Sequence, residues 1–234
     1  MTSLRHQLVV ALLKATRRRR IYASVEGLHA GIAQTRQTGP DLPGPALSGR
    51  IKVERKLWRG NPHYTLSPRT TGATTLHLLY LHGGAYVRPI TRFHWRLLAE
   101  LVERTGCQAT VPLYPLAPES DCERTLAHVR EVHAQLLETV PPQELVLAGD
   151  SAGGGLALAL ALSLQRDRVP VARRLVLISP AVDMSLTGAD LHAVAQRDPM
   201  LALDGLREAG RLYAGSWPVE HPFVSPLRAA TLAG

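Results

Sequence analysis

Hydrophobic positions along this chain follow two alternating rhythms. Short, nearly unbroken apolar runs occur at 75–81, 107–113, 144–148 and 175–178. Runs of about four to eight apolar residues mark strands buried on both faces, as in parallel sheets. Between them, apolar residues recur at helical spacing over 91–104, 121–138 and from just after Ser151 to Leu164. Residues 51–58 alternate loosely, which suits a strand, and 63–66 suits its partner. Strand and helix in turn predict an α/β fold: a mainly parallel sheet with helices on both faces.

The ends of the chain read differently. Leu4, Leu8, Ala11, Leu12 and Ala15 recur at helical spacing, and a second helical stretch covers 22–34. The run Gly39-Pro40-Asp41-Leu42-Pro43-Gly44-Pro45 then breaks regular structure. Residues 1–45 are therefore expected to form a helical appendage, and 46–185 the main body. A helical pattern returns over 188–215 with no strand after it, so 186–217 is expected as a second helical segment and 218–234 as a return loop.

Composition changes this picture little. Hydrophobic residues make up 45% of 234, enough for a single core with normal globular content. The formal net charge of +8 raises the question of a nucleic-acid or lipid-surface partner. The basic residues are scattered, apart from Arg17-Arg18-Arg19-Arg20, and aromatics total only 5%, which leaves few platforms for stacking bases. No nucleic-acid partner is expected. The arginine run reads first as a solvated helix end, with an anion or lipid-surface contact as the alternative. The two cysteines, Cys107 and Cys122, have no metal-ligand spacing, so no metal site is expected and a reduced, cytoplasmic setting is the default. The apolar stretch at 8–13 is short and its charge follows it, unlike a secretory leader. No run approaches the ~20 apolar residues of a membrane span.

One segment carries chemistry. Leu145-Val146-Leu147-Ala148 leads into Gly149-Asp150-Ser151-Ala152-Gly153-Gly154, and an Ala/Leu-rich helix starts at once. A strand, then Gly-x-Ser-x-Gly, then a helix is the context of a nucleophile elbow. Side chains at positions 149 and 153 would collide with neighbouring backbone in so tight a turn. Ser151 is thereby expected to stand above the sheet, near a helix N-terminus that favours a developing oxyanion. A phosphate loop would need Gly-Lys-Ser/Thr, which is absent. A second motif, His82-Gly83-Gly84-Ala85-Tyr86, follows the apolar run ending at Leu81. Its glycines leave backbone N–H groups unobstructed, and those of Gly83 and Gly84, with Ala152, are the expected oxyanion donors.

These motifs resemble the hormone-sensitive-lipase-like group of α/β-hydrolases, also called GDXG or bacterial family IV esterases. The other matching pieces, in order, are Tyr114-Pro115-Leu116-Ala117-Pro118-Glu119, Ser179-Pro180-Ala181-Val182-Asp183 and Ser225-Pro226-Leu227. The chain departs from the family at Ala85, often a third glycine, and at Pro115, often arginine. The resemblance implies the α/β-hydrolase fold and hydrolysis of small, short-chain carboxylic esters by Ser151 without a cofactor. It implies supporting roles for His82, Tyr86, Asp150 and Glu119. It also implies that 1–45 and 186–217 form a cap over the site.

A serine hydroxyl needs a histidine base held by a carboxylate, in the chain order Ser, acid, His for this fold. The only histidines after Ser151 are His192 and His221, and both read as surface residues. Asp183 follows the last apolar run, where some hydrolases carry the acid, but no base matches it. The resemblance puts the triad acid and base after two further strands, so the chain is expected to be C-terminally truncated and weak or inactive. A non-catalytic binding module on the same fold is the alternative.

Overall fold

The computed structural model describes residues 3–15, 19–58, 60–70 and 74–229. Arg17 and Arg18 of the basic run, and the 230–234 end of the predicted return loop, lie outside the described residues. The elements in chain order are α1 (Leu4–Ala15), α2 (Arg19–Tyr22), α3 (Val25–Thr38), α4 (Pro45–Arg50), β1 (Ile51–Trp58), β2 (Asn61–Pro68), β3 (His77–Leu81), α5 (Arg92–Thr105), β4 (Gln108–Pro112), α6 (Cys122–Leu137), β5 (Leu145–Asp150), α7 (Ala152–Arg166), β6 (Arg174–Ile178), α8 (Leu191–Arg197) and α9 (Leu203–Ala214).

The strands form one six-stranded sheet in the order β1-β2-β4-β3-β5-β6. β4, β3, β5 and β6 run parallel, and β1 and β2 are antiparallel additions at one side. This is the α/β fold with a mainly parallel sheet and helices on both faces that the apolar runs predict. Side chains alternate across the sheet with period two. Leu79, Leu81, Leu145 and Leu147 join one buried cluster with α6 and α7, while Tyr80, Ala109, Val111 and Ala148 join the other with α5. Both sheet faces are thus covered, which explains the unbroken apolar runs. At the far side, Leu175, Val176 and Ile178 of β6 are 40–47% exposed, and β6 pairs with β5 alone among the described residues.

Local signals set the helix ends. Asp121 caps α6 by accepting the Arg124 N–H at 3.0 Å, and Gly106 closes α5 in the left-handed conformation. Two details depart from the expectation. α4 is an additional helix, started by Pro45 at its first turn inside what reads as breaker sequence. The predicted helical stretch over 188–215 is two helices, because Asp198 Oδ1 accepts from the N–H groups of Met200 and Leu201 and turns the chain between α8 and α9.

Helices α2 and α3 pack on α9. A Cβ on Gly205 would lie 2.5 Å from Tyr22 Cα, so α2 and α9 touch backbone to backbone. His29 of α3 meets Glu208 of α9 at 2.9 Å. Arg36 of α3 ties this layer to the sheet. It forks onto both Glu119 carboxylate oxygens and also donates to the carbonyls of Val87 and Ala117.

Three histidines are buried and held near pKa 4 by desolvation: His77, His82 and His133. Both ring nitrogens of His133 lack a partner among the described residues. The folded protein keeps these rings neutral, whereas the unfolded chain protonates them near 6.5. Stability is therefore full above pH 6.5 and falls as the pH drops towards 4. Urea titrations across this range are expected to show proton uptake on unfolding near pH 5 that approaches three per molecule from these rings, with His63, His128 and His221, also lowered by burial, adding to it. A flat profile over the same interval would contradict it.

Candidate active site

Ser151 sits between the end of β5 and the start of α7 with φ 49° and ψ −121°. That conformation is strained for a residue with a Cβ and persists only where the surroundings enforce it. Here they do. The Ser151 N–H donates to the Ile178 carbonyl at 2.9 Å, and its carbonyl accepts from Ala181 at 2.8 Å and Gly155 at 3.1 Å. The first turn of α7 presses on the end of β3. A Cβ on Gly153 would lie 2.0 Å from the Leu81 carbonyl oxygen, and one on Gly149 would lie 2.4 Å from the Gly153 carbonyl. Only glycine fits at either place.

The side chain of Ser151 is half-buried and borders two adjoining cavities. One, of about 410 Å³, is lined by Gly83, Gly84, Ala85, His94 and Asp150 from the sheet side and by Ile21, Tyr22 and Leu201 from the helical layer. The other, of about 420 Å³, is more apolar and is lined by Pro180, Val182, Leu186, Leu201 and Leu206. A third cavity, of about 400 Å³, holds His82, Tyr114 and the Arg36–Glu119 pair, and Ser151 does not reach it.

The loop after β3 is braced by Asp150. Its Oδ1 accepts from Tyr80 Oη at 2.6 Å and from the Gly83 N–H at 2.8 Å, and its Oδ2 lies 3.4 Å from His94 Nε2. Burial alone would raise the Asp150 pKa. The hydrogen bonds from His94, Tyr80 and Gly83 outweigh it and hold the carboxyl below its ordinary value. This bears on the Gly83 amide, an expected oxyanion donor. The Gly83 N–H is committed to a carboxylate, which attracts it more strongly than a neutral acceptor would. The amides of Gly84, Ala85 and Ala152 donate to no protein acceptor among the described residues. Ala85 is one of the two departures from the family pattern. Its φ of 53° and its place on both cavities make it part of the site.

His82 and Tyr86 support this loop from beneath. His82 is 1% exposed; its ring stacks on Tyr114 at 4.4 Å and its Nδ1 lies 2.8 Å from the Gly83 carbonyl. A carbonyl accepts only, so Nδ1 carries the proton. Tyr86 stacks on Tyr213 of α9 at 3.6 Å, joining the loop to the helical layer. Tyr80 and His94 were missed from sequence. The available signals were the alternation of β3, which puts Tyr80 on the face opposite Leu79 and Leu81, and the position of His94 three residues after the helix cap Thr91.

A family model described as alpha/beta hydrolase fold matches residues 78–234. LipR of Mycobacterium tuberculosis is 37% identical over 158 residues, covering 66% of this chain and 50% of that protein. An esterase of Acinetobacter venetianus is 30% identical over 161 residues, covering 68% of this chain and 53% of its own. A solved hormone-sensitive lipase from a metagenome library is similar with a TM-score of 0.78 and 27% identity, over 95% of this chain and 73% of that one. The chain belongs to the α/β-hydrolase family, in its hormone-sensitive-lipase-like group. It spans about half the length of the curated relatives it matches.

Of the remaining candidates, Asp183 lines the second, more apolar cavity together with Ser151, whereas His192 and His221 do not line either Ser151 cavity. Asp183 accepts from Ser185 N–H at 3.0 Å and from Arg228 at 3.1 Å. His221 stacks on Trp217 at 4.1 Å and lines a separate cavity with Leu162 and Arg166. His192 is exposed on α8. His94 shares the cavity of Ser151, but both of its nitrogens are engaged. Nδ1 accepts the Thr91 N–H at 2.9 Å, so Nε2 carries the proton and faces Asp150. Among the described residues no group of three His, Cys, Asp or Glu is placed to hold a metal.

Two substitutions separate the steric and polar supports of the site. Gly153→Ala is expected to destabilise the fold by about 3 kcal/mol or more, because backbone must move to admit the methyl group. Tyr80→Phe is expected to cost about 1–3 kcal/mol, the range for a lost hydrogen bond to a charged acceptor. Chemical denaturation measures both, and a Gly153→Ala protein as stable as the parent would refute the close-approach argument.

Proposed function

We propose that this chain carries the nucleophile half of a carboxylic ester hydrolase, with Ser151 attacking the ester carbonyl. The single observation behind this reading is the strained, half-buried Ser151 beside the three unengaged amides of Gly84, Ala85 and Ala152. As the carbonyl oxygen gains charge, those amides bind it, and the N-terminus of α7 adds partial positive charge at the same place. Gly83 serves the oxyanion indirectly by anchoring the loop to Asp150. Residues 1–45 and 186–217 act as a cap, and Leu201 and Leu206 keep water from the two cavities. These modest, largely apolar cavities suit small esters with short acyl groups. The relatives named as esterase and hormone-sensitive lipase support the same class.

The histidine geometry limits what this chain does alone. With His94 saturated, and with His192 and His221 elsewhere, no described histidine accepts the Ser151 proton. Turnover by these 234 residues is therefore weak, since serine without its base retains only ~10³–10⁴ over water in a well-studied protease. A non-catalytic binding module is the second reading, favoured by that same unfilled base position. Prolonged incubation with p-nitrophenyl acetate, followed by peptide mass spectrometry, separates the two. The esterase reading expects an acetyl group that accumulates on Ser151 above every other serine, because deacylation lacks the base as well. Labelling of Ser151 no faster than that of surface serines would favour the binding module. Rapid, steady, Ser151-dependent turnover would contradict the argument about the base.

A further inference from the structure

The helical layer carries a surface that the ester chemistry does not use. On α1, Leu4, Leu8 and Leu12 are spaced at i, i+4 and i+8, and they are 73%, 63% and 64% exposed. Val9 extends the same arc, whereas Val10 and Leu13, on the other side, are half-buried. The helix thus turns its apolar arc outward. A 12-residue helix is marginal by itself, and an arc of leucines in water marks a contact surface.

The chain becomes cationic where α1 ends. Lys14, Arg19, Arg20 and, from α8, Arg197 line a cavity of about 530 Å³. Asp198 is the acid on its wall, and its Oδ1 is occupied by the N–H groups of Met200 and Leu201. Arg19 donates Nη2 to the Ala195 carbonyl at 2.9 Å, while its Nε is buried without a partner among the described residues. None of the four cations forms an ion pair among the described residues.

We infer that α1 and this basic cavity form a docking surface for an anionic lipid membrane. The exposed leucines enter the boundary between headgroups and acyl chains, and the cations after the helix bind lipid phosphates. Charge selects this occupant. A second copy would bring an identical basic cluster against the first, and like charges repel. A nucleic acid would satisfy the arginines but leave the leucines in water. The helix lies on the surface and does not cross, for no helix among the described residues is long and apolar enough to span a membrane. α2 joins the two functions: Arg19 and Arg20 line the basic cavity, and Ile21 and Tyr22 line the cavity of Ser151. Docking would set that cavity near the lipid face, although the inference stands whether or not Ser151 is catalytic.

Co-sedimentation of the 234-residue chain with vesicles tests it. Binding is expected to phosphatidylglycerol–phosphatidylcholine vesicles and to be at least tenfold weaker to phosphatidylcholine alone. A Leu8→Glu/Leu12→Glu double variant and an Arg20→Glu/Arg197→Glu double variant are each expected to lose at least tenfold. Both change exposed or solvent-lining positions, so their melting curves should match the parent. Three outcomes overturn the inference: equal binding to neutral vesicles, binding indifferent to the leucine substitutions, or a dimer in analytical ultracentrifugation that those substitutions dissolve.

Discussion

The structure depends most on one close backbone approach, the first turn of α7 lying against the end of β3. At Gly153 no side-chain carbon fits, since the Leu81 carbonyl oxygen would stand 2.0 Å from it. This contact draws α7 close under the sheet and leaves Ser151 in a conformation with φ of 49°. The strain is sustained by hydrogen bonds from both directions, to Ile178 on one side and from Ala181 on the other. Packing above and below the sheet serves the same end. The two buried clusters hold β3 and β5 in register, with Leu81 opposite Gly149, so the turn and the loop after β3 meet at one height.

Around that turn, a single carboxylate decides which amides remain free. Asp150 draws the Gly83 N–H, the Tyr80 hydroxyl and the His94 ring towards itself. A half-buried carboxylate is costly unless its oxygens are satisfied, and these partners satisfy them. The Gly83 amide is thereby consumed in bracing the loop. The next two amides, of Gly84 and Ala85, are left for the proposed oxyanion. The proposed oxyanion donors and the structural donor are thus neighbours in sequence, separated by what the Asp150 carboxylate takes.

Much of this was readable from residue order, because the signals were strong and local. The four apolar runs became β3 to β6, and the Gly-x-Ser-x-Gly context became the tight turn that the spacing implied. The α/β-hydrolase membership followed from ordered motifs whose physics is backbone proximity. What was missed depended on contacts between segments. Nothing in His82-Gly83-Gly84-Ala85 announces that Asp150, 67 residues away, captures one amide. His94 read as a helix residue, since only the folded chain brings it to that carboxylate. The break at Asp198 is a side chain competing for backbone N–H groups, a weak signal inside a helical pattern. α1 was read correctly as a helix, but its outward-facing leucines were invisible without the packing.

The proposal at the centre is geometric: that Ser151 faces a hollow into which the amides of Gly84, Ala85 and Ala152 point. A crystal structure of the chain after prolonged reaction with a small alkylphosphonate tests it most directly. The account predicts a phosphonyl group on Ser151 Oγ, its free oxygen within hydrogen-bonding distance of those three amides, and the Gly83 N–H still on Asp150. An adduct whose oxygen is held by Gly83, or a phosphonate attached elsewhere while Ser151 stays unmodified, would contradict it.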